Sequence, residues 1–399
     1  MIPEGVKAIP GCMTDEELSL LCRMARSAQT IVELGMWQGR SLAAMMLTNP
    51  QAQVWGVDWF QDMTESRGYE GSTEQKVREN LTALGLKPAG IINATTDEAA
   101  KQFDQRVDLL HIDAGHSYEE CKADLENWVP KVTPGGAVCV HDYGKPRNPK
   151  LHRPGVKKAV DEWRNDEWVE VERAGVMVAF RHIIAEEGAL YVAYGEKARA
   201  HAQAGIQSLK SHARRLRVAV VSDSPLEGAD HDIIHIETDR GARTQKTRMY
   251  SLSPFRKTLF LDADTRVLSS PAPGFRLLDY GDVVLAQDVM RVLGESRWKA
   301  LDPGERAETI EELGGGMWMH WNSGVFFFRR NERVQAMMQE WHRQWLRWQK
   351  HDQMALLRAI YRKSVRIVAM REPWNTHKES MAKFVYHKHR SVSREGAPK

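Results

Sequence analysis

The sequence predicts an α/β protein in two domains, and three features carry that prediction. At 399 residues the chain is longer than a single core usually serves. Apolar runs alternate with helical stretches along both halves, the pattern of parallel strands joined by crossover helices. Runs at 168–172 and 176–181, joined by Ala174-Gly175, read as a tight antiparallel hairpin that closes the first series. With 42% hydrophobic and 27% charged residues, both halves can bury a core.

The first series opens on Thr14-Asp15-Glu16-Glu17, a capping box that starts an amphipathic helix ending near Ala28. Strands are predicted at 30–34, 53–57, 90–92, 107–112 and 137–140, each with a helix after it. The turn after the first strand reads Glu33-Leu34-Gly35-Met36-Trp37-Gln38-Gly39. Its glycines let a ligand approach the backbone, and the helix beginning near Gly39 offers unpaired N–H groups. A dinucleotide fingerprint needs glycine where Trp37 and Arg40 stand, which argues against nicotinamide or flavin chemistry. The second strand ends in Asp58, 23 residues past Gly35, and a carboxylate there can accept from both hydroxyls of a ribose.

Two further segments, Leu110-His111-Ile112-Asp113-Ala114-Gly115-His116-Ser117-Tyr118 and Pro134-Gly135-Gly136 through His141-Asp142-Tyr143, put acids and histidines just past neighbouring strand ends. Asp113, His141 and Asp142 can converge there on one hard divalent cation. The competing reading makes the acids helix caps and leaves His111 and His141 as core or hydrogen-bonded histidines.

Together these motifs resemble class I S-adenosylmethionine-dependent methyltransferases, nearest the metal-dependent sugar O-methyltransferases, over about residues 28–182. The resemblance implies a Rossmann-like sheet of seven strands with a reversed last strand. It implies that Glu33, Gly35 and Gly39 hold the methionine end of the cofactor, Asp58 the ribose, and the segment around Thr96 the adenine. It places Asp113, His141 and Asp142 where the family binds its metal, Mg²⁺, although relatives commonly carry an acid at the position of His141. A metal-bound hydroxyl gives up its proton more easily, and His116 is the candidate base.

A linker is predicted at 183–188, between a first domain at 1–182 and a second at 189–399. A strand at 189–195, a helix through about His212 and a strand at 218–222 restart the alternation. The run Ser253-Pro254-Phe255 to Leu261-Asp262-Ala263-Asp264-Thr265 delivers two carboxylates at a strand end. Such a pair can hold the cation that neutralises a departing diphosphate. Cations at 243–248 stand upstream, and Trp321-Asn322-Ser323-Gly324-Val325, His351-Asp352-Gln353 and Tyr386-His387-Lys388-His389 stand downstream. The stripe Met338, Trp341, Trp345, Trp348 reads as packing against the sheet in preference to a stacking platform for sugars or bases.

This half is similar to GT-A type nucleotide-diphospho-sugar glycosyltransferases of the glycogenin and galactosyltransferase group, over about residues 189–390. The likeness implies Mn²⁺ and donor diphosphate on Asp262 and Asp264, Lys246 on the donor, and a sugar pocket of Asn322, Ser323, Asp352 and Gln353, with Asp352 among the catalytic groups. A late histidine, His387 or His389, completes the metal shell. The implied function is a bifunctional transferase that moves a methyl group to a sugar hydroxyl and a glycosyl group from a nucleotide sugar to a glycan or small hydroxylated acceptor. A nucleic-acid-modifying transferase and a protein in which one half only binds its ligand are the alternatives.

Charge is uneven along the chain. Residues 1–186 carry 21 basic and 28 acidic side chains, whereas residues 187–399 carry 35 and 25, so the second half suits an anionic ligand. Four cysteines without metal-ligand spacing, no leader-like start and no apolar run long enough to span a bilayer predict a cytoplasmic protein with reduced thiols.

Overall fold

The structure is a computed structural model that describes residues 2–60, 73–146, 148–149, 152–234, 241–292, 302–371, 374–376 and 379–387. The chain divides into two compact units between Ile184 and Ala185. Among the described residues no helix is long and apolar enough to cross a membrane.

The first unit begins with α1 (Asp15–Ala25), capped as its sequence requires: Glu17 N–H donates to Thr14 Oγ1 and Thr14 N–H donates to Glu17 Oε2. Next come β1 (Thr30–Leu34), α2 (Arg40–Thr48), β2 (Gln53–Asp58), α3 (Glu74–Ala83), β3 (Gly90–Asn93), α4 (Thr96–Gln102), β4 (Val107–Ile112), α5 (Tyr118–Trp128), β5 (Val132–Val140) and α6 (Pro154–Trp163). The hairpin β6 (Trp168–Ala174) and β7 (Met177–His182) closes the unit. Its seven strands lie in the order β3-β2-β1-β4-β5-β7-β6, with β7 antiparallel to both β5 and β6. β5 begins five residues before the expected 137, and a register shift between Val107 and Leu109 accommodates Pro134-Gly135-Gly136.

β1 lies between β2 and β4, both parallel to it, and its side chains alternate between two cores. Ile31 joins the core containing Leu21 and Met45, while Val32 and Leu34 join the one containing Leu110 and Trp128. Glu33 shares the face of Ile31, and its register partner on β4 is His111.

The second unit contains β8 (Ala185–Ala193), α7 (Glu196–His212), β9 (Arg217–Ser222), β10 (His231–Ile234), α8 (Gly241–Lys246), α9 (Met249–Leu252), β11 (Phe255–Asp262), β12 (Thr265–Val267), α10 (Ala272–Leu277), β13 (Val283–Val292), α11 (Pro303–Glu312), β14 (Met319–Arg329), α12 (Glu332–Trp348), α13 (Asp352–Arg362), β15 (Ile367–Met370), β16 (Asn375–Thr376) and β17 (Val385–His387). Seven strands form one mixed sheet in the order β10-β9-β8-β11-β14-β13-β15, and β12-β17-β16 form a small second sheet. Residues 185–188, expected as linker, are the start of β8: they pair with the segment from Phe255 to Thr258. The Phe255 ring lies where a side chain on Gly188 would sit, and the pairing with β11 makes this stretch sheet despite its acidic, unpatterned sequence.

The tryptophan stripe of α12 packs inward. Met338, Trp341 and Trp345 are buried, Trp348 is half-buried, and the Trp341 ring lies 6.0 Å from that of Phe326 on β14. The same indoles also hold the segments that line the site: Trp341 Nε1 donates to the Asp352 carbonyl at 2.8 Å, and Trp345 Nε1 donates to Thr244 Oγ1 at 2.9 Å.

Candidate active sites

In the first unit the turn after β1 carries the geometry. Gly35 and Gly39 have φ of 83° and 82°, left-handed values that glycine adopts without a Cβ penalty. A Cβ on Gly35 would lie 2.3 Å from the Asp113 carbonyl oxygen, so this glycine lets the ends of β1 and β4 approach. Asp58 is tied to the turn: its Oδ2 accepts from the N–H groups of Met36 at 2.8 Å and Trp37 at 3.0 Å, and its Oδ1 accepts from Phe60 at 3.0 Å. The carboxylate thus organises the turn as well as standing at the β2 end, a role its sequence position does not reveal.

Glu33 is fully buried, and its Oε1 lies 2.9 Å from Nδ1 of the equally buried His111. Burial raises the Glu33 pKa, and His111 works against that rise. The pair sits within the sheet, so His111 is a hydrogen-bonded core histidine, as the competing reading of that residue has it. Thr96 opens α4, whose N-cap is Thr95, and its carbonyl accepts from Trp128 Nε1.

Asp113, His141 and Asp142 come together, with ligand atoms all within 4.8 Å of one another. His141 Nδ1 lies 3.3 Å from Asp113 Oδ1 and 3.6 Å from Asp142 Oδ1. Burial opposes a charge on this ring, but Asp113, Asp142 and Glu17 raise its pKa well above the ordinary value. His116 Nε2 meets Asp142 Oδ2 at 3.0 Å, which brings the candidate base to the edge of the cluster. Asp142 has φ of 58°, a left-handed value that aspartate adopts more readily than most side-chain-bearing residues. Two carboxylates and an imidazole are a donor set that fits a divalent ion. All four cysteines are free thiols, and the exposed one, Cys12, feels the charges of Asp113, His141 and Asp142.

The second site gathers residues from seven segments: the β11–β12 turn, α8, β13, β14, the start of α13, β16 and β17. β11 delivers Asp262, and Thr265 Oγ1 donates to the Asp262 carbonyl at 2.7 Å to fix the Asp-Ala-Asp turn. Antiparallel pairing of β12 with β17 sets His387 opposite Thr265, and His387 Nε2 reaches Asp264 Oδ1 at 3.0 Å. Asp262, Asp264 and His387 form a second cluster within 4.8 Å, again a set that fits a divalent ion. His389, the other expected ligand, lies outside the described residues. A Cβ on Gly324 would lie 2.4 Å from His387 Cε1 and 2.6 Å from Asp262 Oδ2, so the Asn-Ser-Gly block is small where the ligands close in.

Lys246, at the end of α8, reaches both Asp262 Oδ1 at 2.9 Å and Asp352 Oδ2 at 3.0 Å. Ser323 Oγ donates to the same Asp352 oxygen at 2.8 Å. Burial pushes the Asp352 pKa up, but Lys246, His351 and Ser323 outweigh it and hold the carboxyl well below its usual range. Asn322 Nδ2 at 3.4 Å and Gln353 Nε2 at 3.2 Å both donate to Asp288 Oδ2, while Asn322 Oδ1 accepts from Asn375 Nδ2 at 2.8 Å. Sequence reasoning singles out Asn322, Ser323, Asp352 and Gln353 but misses Asp288 and Asn375. Asp288 carried a usable signal, an acid closing the apolar run Val283-Val284-Leu285-Ala286. Asn375 carried none.

Residues 32–143 match the family described as a methyltransferase domain, and residues 257–381 match the one described as a nucleotide-diphospho-sugar transferase. The chain joins these two transferase domains. The uncharacterized protein y4gI of Sinorhizobium fredii is 54% identical over 120 residues, 28% of this chain, and the chain spans only 13% of that relative's length. Among solved structures, the O-methyltransferase NovP is 22% identical, covering 42% of this chain and 79% of its own, with a TM-score of 0.34. A putative caffeoyl-CoA O-methyltransferase from Staphylococcus aureus is 19% identical, covering 44% and 87%, with a TM-score of 0.35. TomG, an O-methyltransferase from Streptomyces achromogenes in complex with S-adenosylmethionine, is 15% identical, covering 46% and 91%, with a TM-score of 0.34. The matched methyltransferase region contains Asp113, His141 and Asp142; the matched sugar-transferase region contains Asp262 and Asp264, and His387 follows it in the same unit.

Proposed function

We propose that the chain is a bifunctional transferase that glycosylates an acceptor and O-methylates a sugar hydroxyl, with S-adenosylmethionine and a nucleotide sugar as its donors. The observation that carries this reading is the convergence of Asp262, Asp264, His387, Lys246 and Asp352 in a domain matched to nucleotide-sugar transferases.

In the sugar-transferase domain, Asp262, Asp264 and His387 are the residues that hold a divalent ion, Mn²⁺ in this reading. An ion held there would supply positive charge to the departing diphosphate. Lys246 adds a second positive charge beside that position, while Asn322, Ser323, Gln353 and Asp352 orient the sugar; the acceptor oxygen bonds to the anomeric carbon as the nucleoside diphosphate leaves with the acceptor's proton.

In the methyltransferase domain, the turn at Gly35–Gly39 and Asp58 bind the cofactor, and the methyl group passes from its sulfonium to the acceptor oxygen. The hydroxyl proton goes to His116, and the cofactor leaves as a neutral thioether. Asp113, His141 and Asp142 are the residues that would hold a divalent ion here, which would supply positive charge to lower the pKa of the acceptor hydroxyl.

Both domains serve one glycan in this reading, and sharing a chain raises the effective concentration of the second site to roughly millimolar for a short connection. The test supplies acceptor and donor sugar first, then labelled S-adenosylmethionine. Label is expected on the glycosylated product, in an amount that depends on Asp264. Equal methylation of an acceptor never glycosylated, with Asp264→Asn in place, overturns the sequential pathway.

A further inference from the structure

The cluster in the methyltransferase domain differs from an all-oxygen magnesium site at one position, and the difference is supported by a buried carboxylate behind it. His141 is nine-tenths buried, and its two ring nitrogens face different carboxylates. Nδ1 points among Asp113 and Asp142, at 3.3 and 3.6 Å, whereas Nε2 lies 3.7 Å from Glu17 Oε2. Glu17 is itself 3% exposed and cannot easily turn away. Its Oε2 accepts from Thr14 N–H at 2.7 Å, and its Oε1 accepts from Val176 N–H at 2.8 Å in the β6–β7 turn. A Cβ on Gly175 in that turn would lie 2.2 Å from Glu17 Oε1, so the hairpin is built closely around this carboxylate.

We propose that this site selects a first-row transition ion that accepts imidazole nitrogen (manganese, cobalt or zinc) over magnesium, bound by Asp113, Asp142 and His141 Nδ1, with Glu17 as the positioning residue that accepts a hydrogen bond from Nε2–H. The inference rests on the reading of this domain as metal-assisted. Magnesium favours oxygen donors and keeps several waters, whereas an imidazole shifts a site toward ions later in the first row. A ligating histidine characteristically gives its other N–H to a carboxylate, which fixes both tautomer and ring orientation. Closing Nε2 onto Glu17 takes a ring movement of roughly 1 Å to reach hydrogen-bond distance.

The full chain carrying His387→Ala leaves His141 as the nitrogen donor among the residues of the two clusters. Loaded with Mn²⁺, it is expected to show the pulsed-EPR modulation of a directly coordinated ¹⁴N, and His141→Asp is expected to abolish it. In competition dialysis Mg²⁺ displaces Mn²⁺ about tenfold more readily from the His141→Asp chain than from its parent, and Glu17→Gln weakens Mn²⁺ about tenfold without changing S-adenosylmethionine affinity. Bound Mn²⁺ with no nitrogen modulation, or the same Mg²⁺ competition with histidine and aspartate, overturns the proposal but leaves metal-assisted methylation standing. If the chain with Asp262, Asp264 and His387 all replaced retains no divalent ion, even with S-adenosylmethionine present, both readings fall. The Mn²⁺ against Mg²⁺ competition is also run on the unmodified chain with that cofactor, and a preference for Mg²⁺ at the site that the His141→Asp variant perturbs overturns the proposal.

Discussion

The two clusters use the same donors, two carboxylates and one imidazole, yet the chain assembles them in opposite ways. In the methyltransferase domain, Asp113 follows β4 and His141-Asp142 follow β5, so two neighbouring parallel strands of one sheet deliver all three. In the sugar-transferase domain, Asp262 and Asp264 are local, but His387 arrives from 123 residues away through pairing of the three-residue strands β12 and β17. Their surroundings differ too. The first cluster is backed by further acid, Glu17, while the second leans on a cation, Lys246. A site delivered by sheet order depends on the main core, whereas a site completed by a returning strand depends on a small appended sheet.

The sharpest way to break this comparison is to remove one cluster and measure both activities. Asp264→Asn is expected to lower donor hydrolysis and transfer on the order of a thousandfold, from several kcal/mol of lost charge stabilisation. S-adenosylmethionine binding by calorimetry should stay unchanged in that variant. A loss of both would mean that the two sites do not act separately, and full activity in excess chelator would remove the metal from the account of the sugar-transferase domain.

The two domains also store protons with opposite sign. Asp124 on α5 is almost fully buried, and desolvation raises its pKa from 3.8 to about 7. The folded methyltransferase domain therefore keeps a proton that the unfolded chain releases, and that contribution is complete below about pH 4 and lost as pH rises through 7. His351 is the reverse case, since burial takes its pKa from 6.5 to about 4. Its contribution is complete above about pH 6.5 and lost as pH falls toward 4. Across those whole windows the two shifts correspond to about 4 and about 3 kcal/mol. Relative to wild type, Asp124→Asn should gain stability between about pH 5 and pH 8, and His351→Gln should gain it between about pH 7 and pH 5. Differences from wild type that do not move with pH in either variant would refute this assignment of protons.

The smallest effect concerns the turn after β1. Asp58→Ala should weaken S-adenosylmethionine binding by about 1.5–3 kcal/mol through lost charge-assisted hydrogen bonds, without altering nucleotide-sugar hydrolysis. Unchanged affinity in the variant would mean that Asp58 serves the Met36–Trp37 backbone alone.

What the sequence shows of this molecule follows from how local each signal is. The Thr14–Glu17 capping box, the strand carrying Glu33 into Gly35, and the Ala174-Gly175 hairpin are fixed by periodicity and turn chemistry within a few residues, and each can be read directly. Lys246, Asp352 and Ser323 were named through a likeness to known transferases; the structure adds that one ammonium bridges two carboxylates. Contacts between remote segments left no trace. β12, β16 and β17 are too short to carry a period, and Asn375 reaches Asn322 across 53 residues. Glu17 reads as a helix cap, and nothing in its neighbours tells that the same carboxylate stands behind His141. β8 begins at Ala185 opposite Phe255, a partner far downstream whose ring fills the space a side chain on Gly188 would take.

Gly324 has a consequence for how this protein can vary. It coordinates nothing and donates nothing through a side chain, yet any substituent on its α-carbon enters the space held by His387 and Asp262. In a saturation library selected for sugar transfer, position 324 is therefore expected to tolerate substitution as poorly as the aspartates beside it, through steric exclusion and not through chemistry. Intolerance at that position measures how much room the cluster needs.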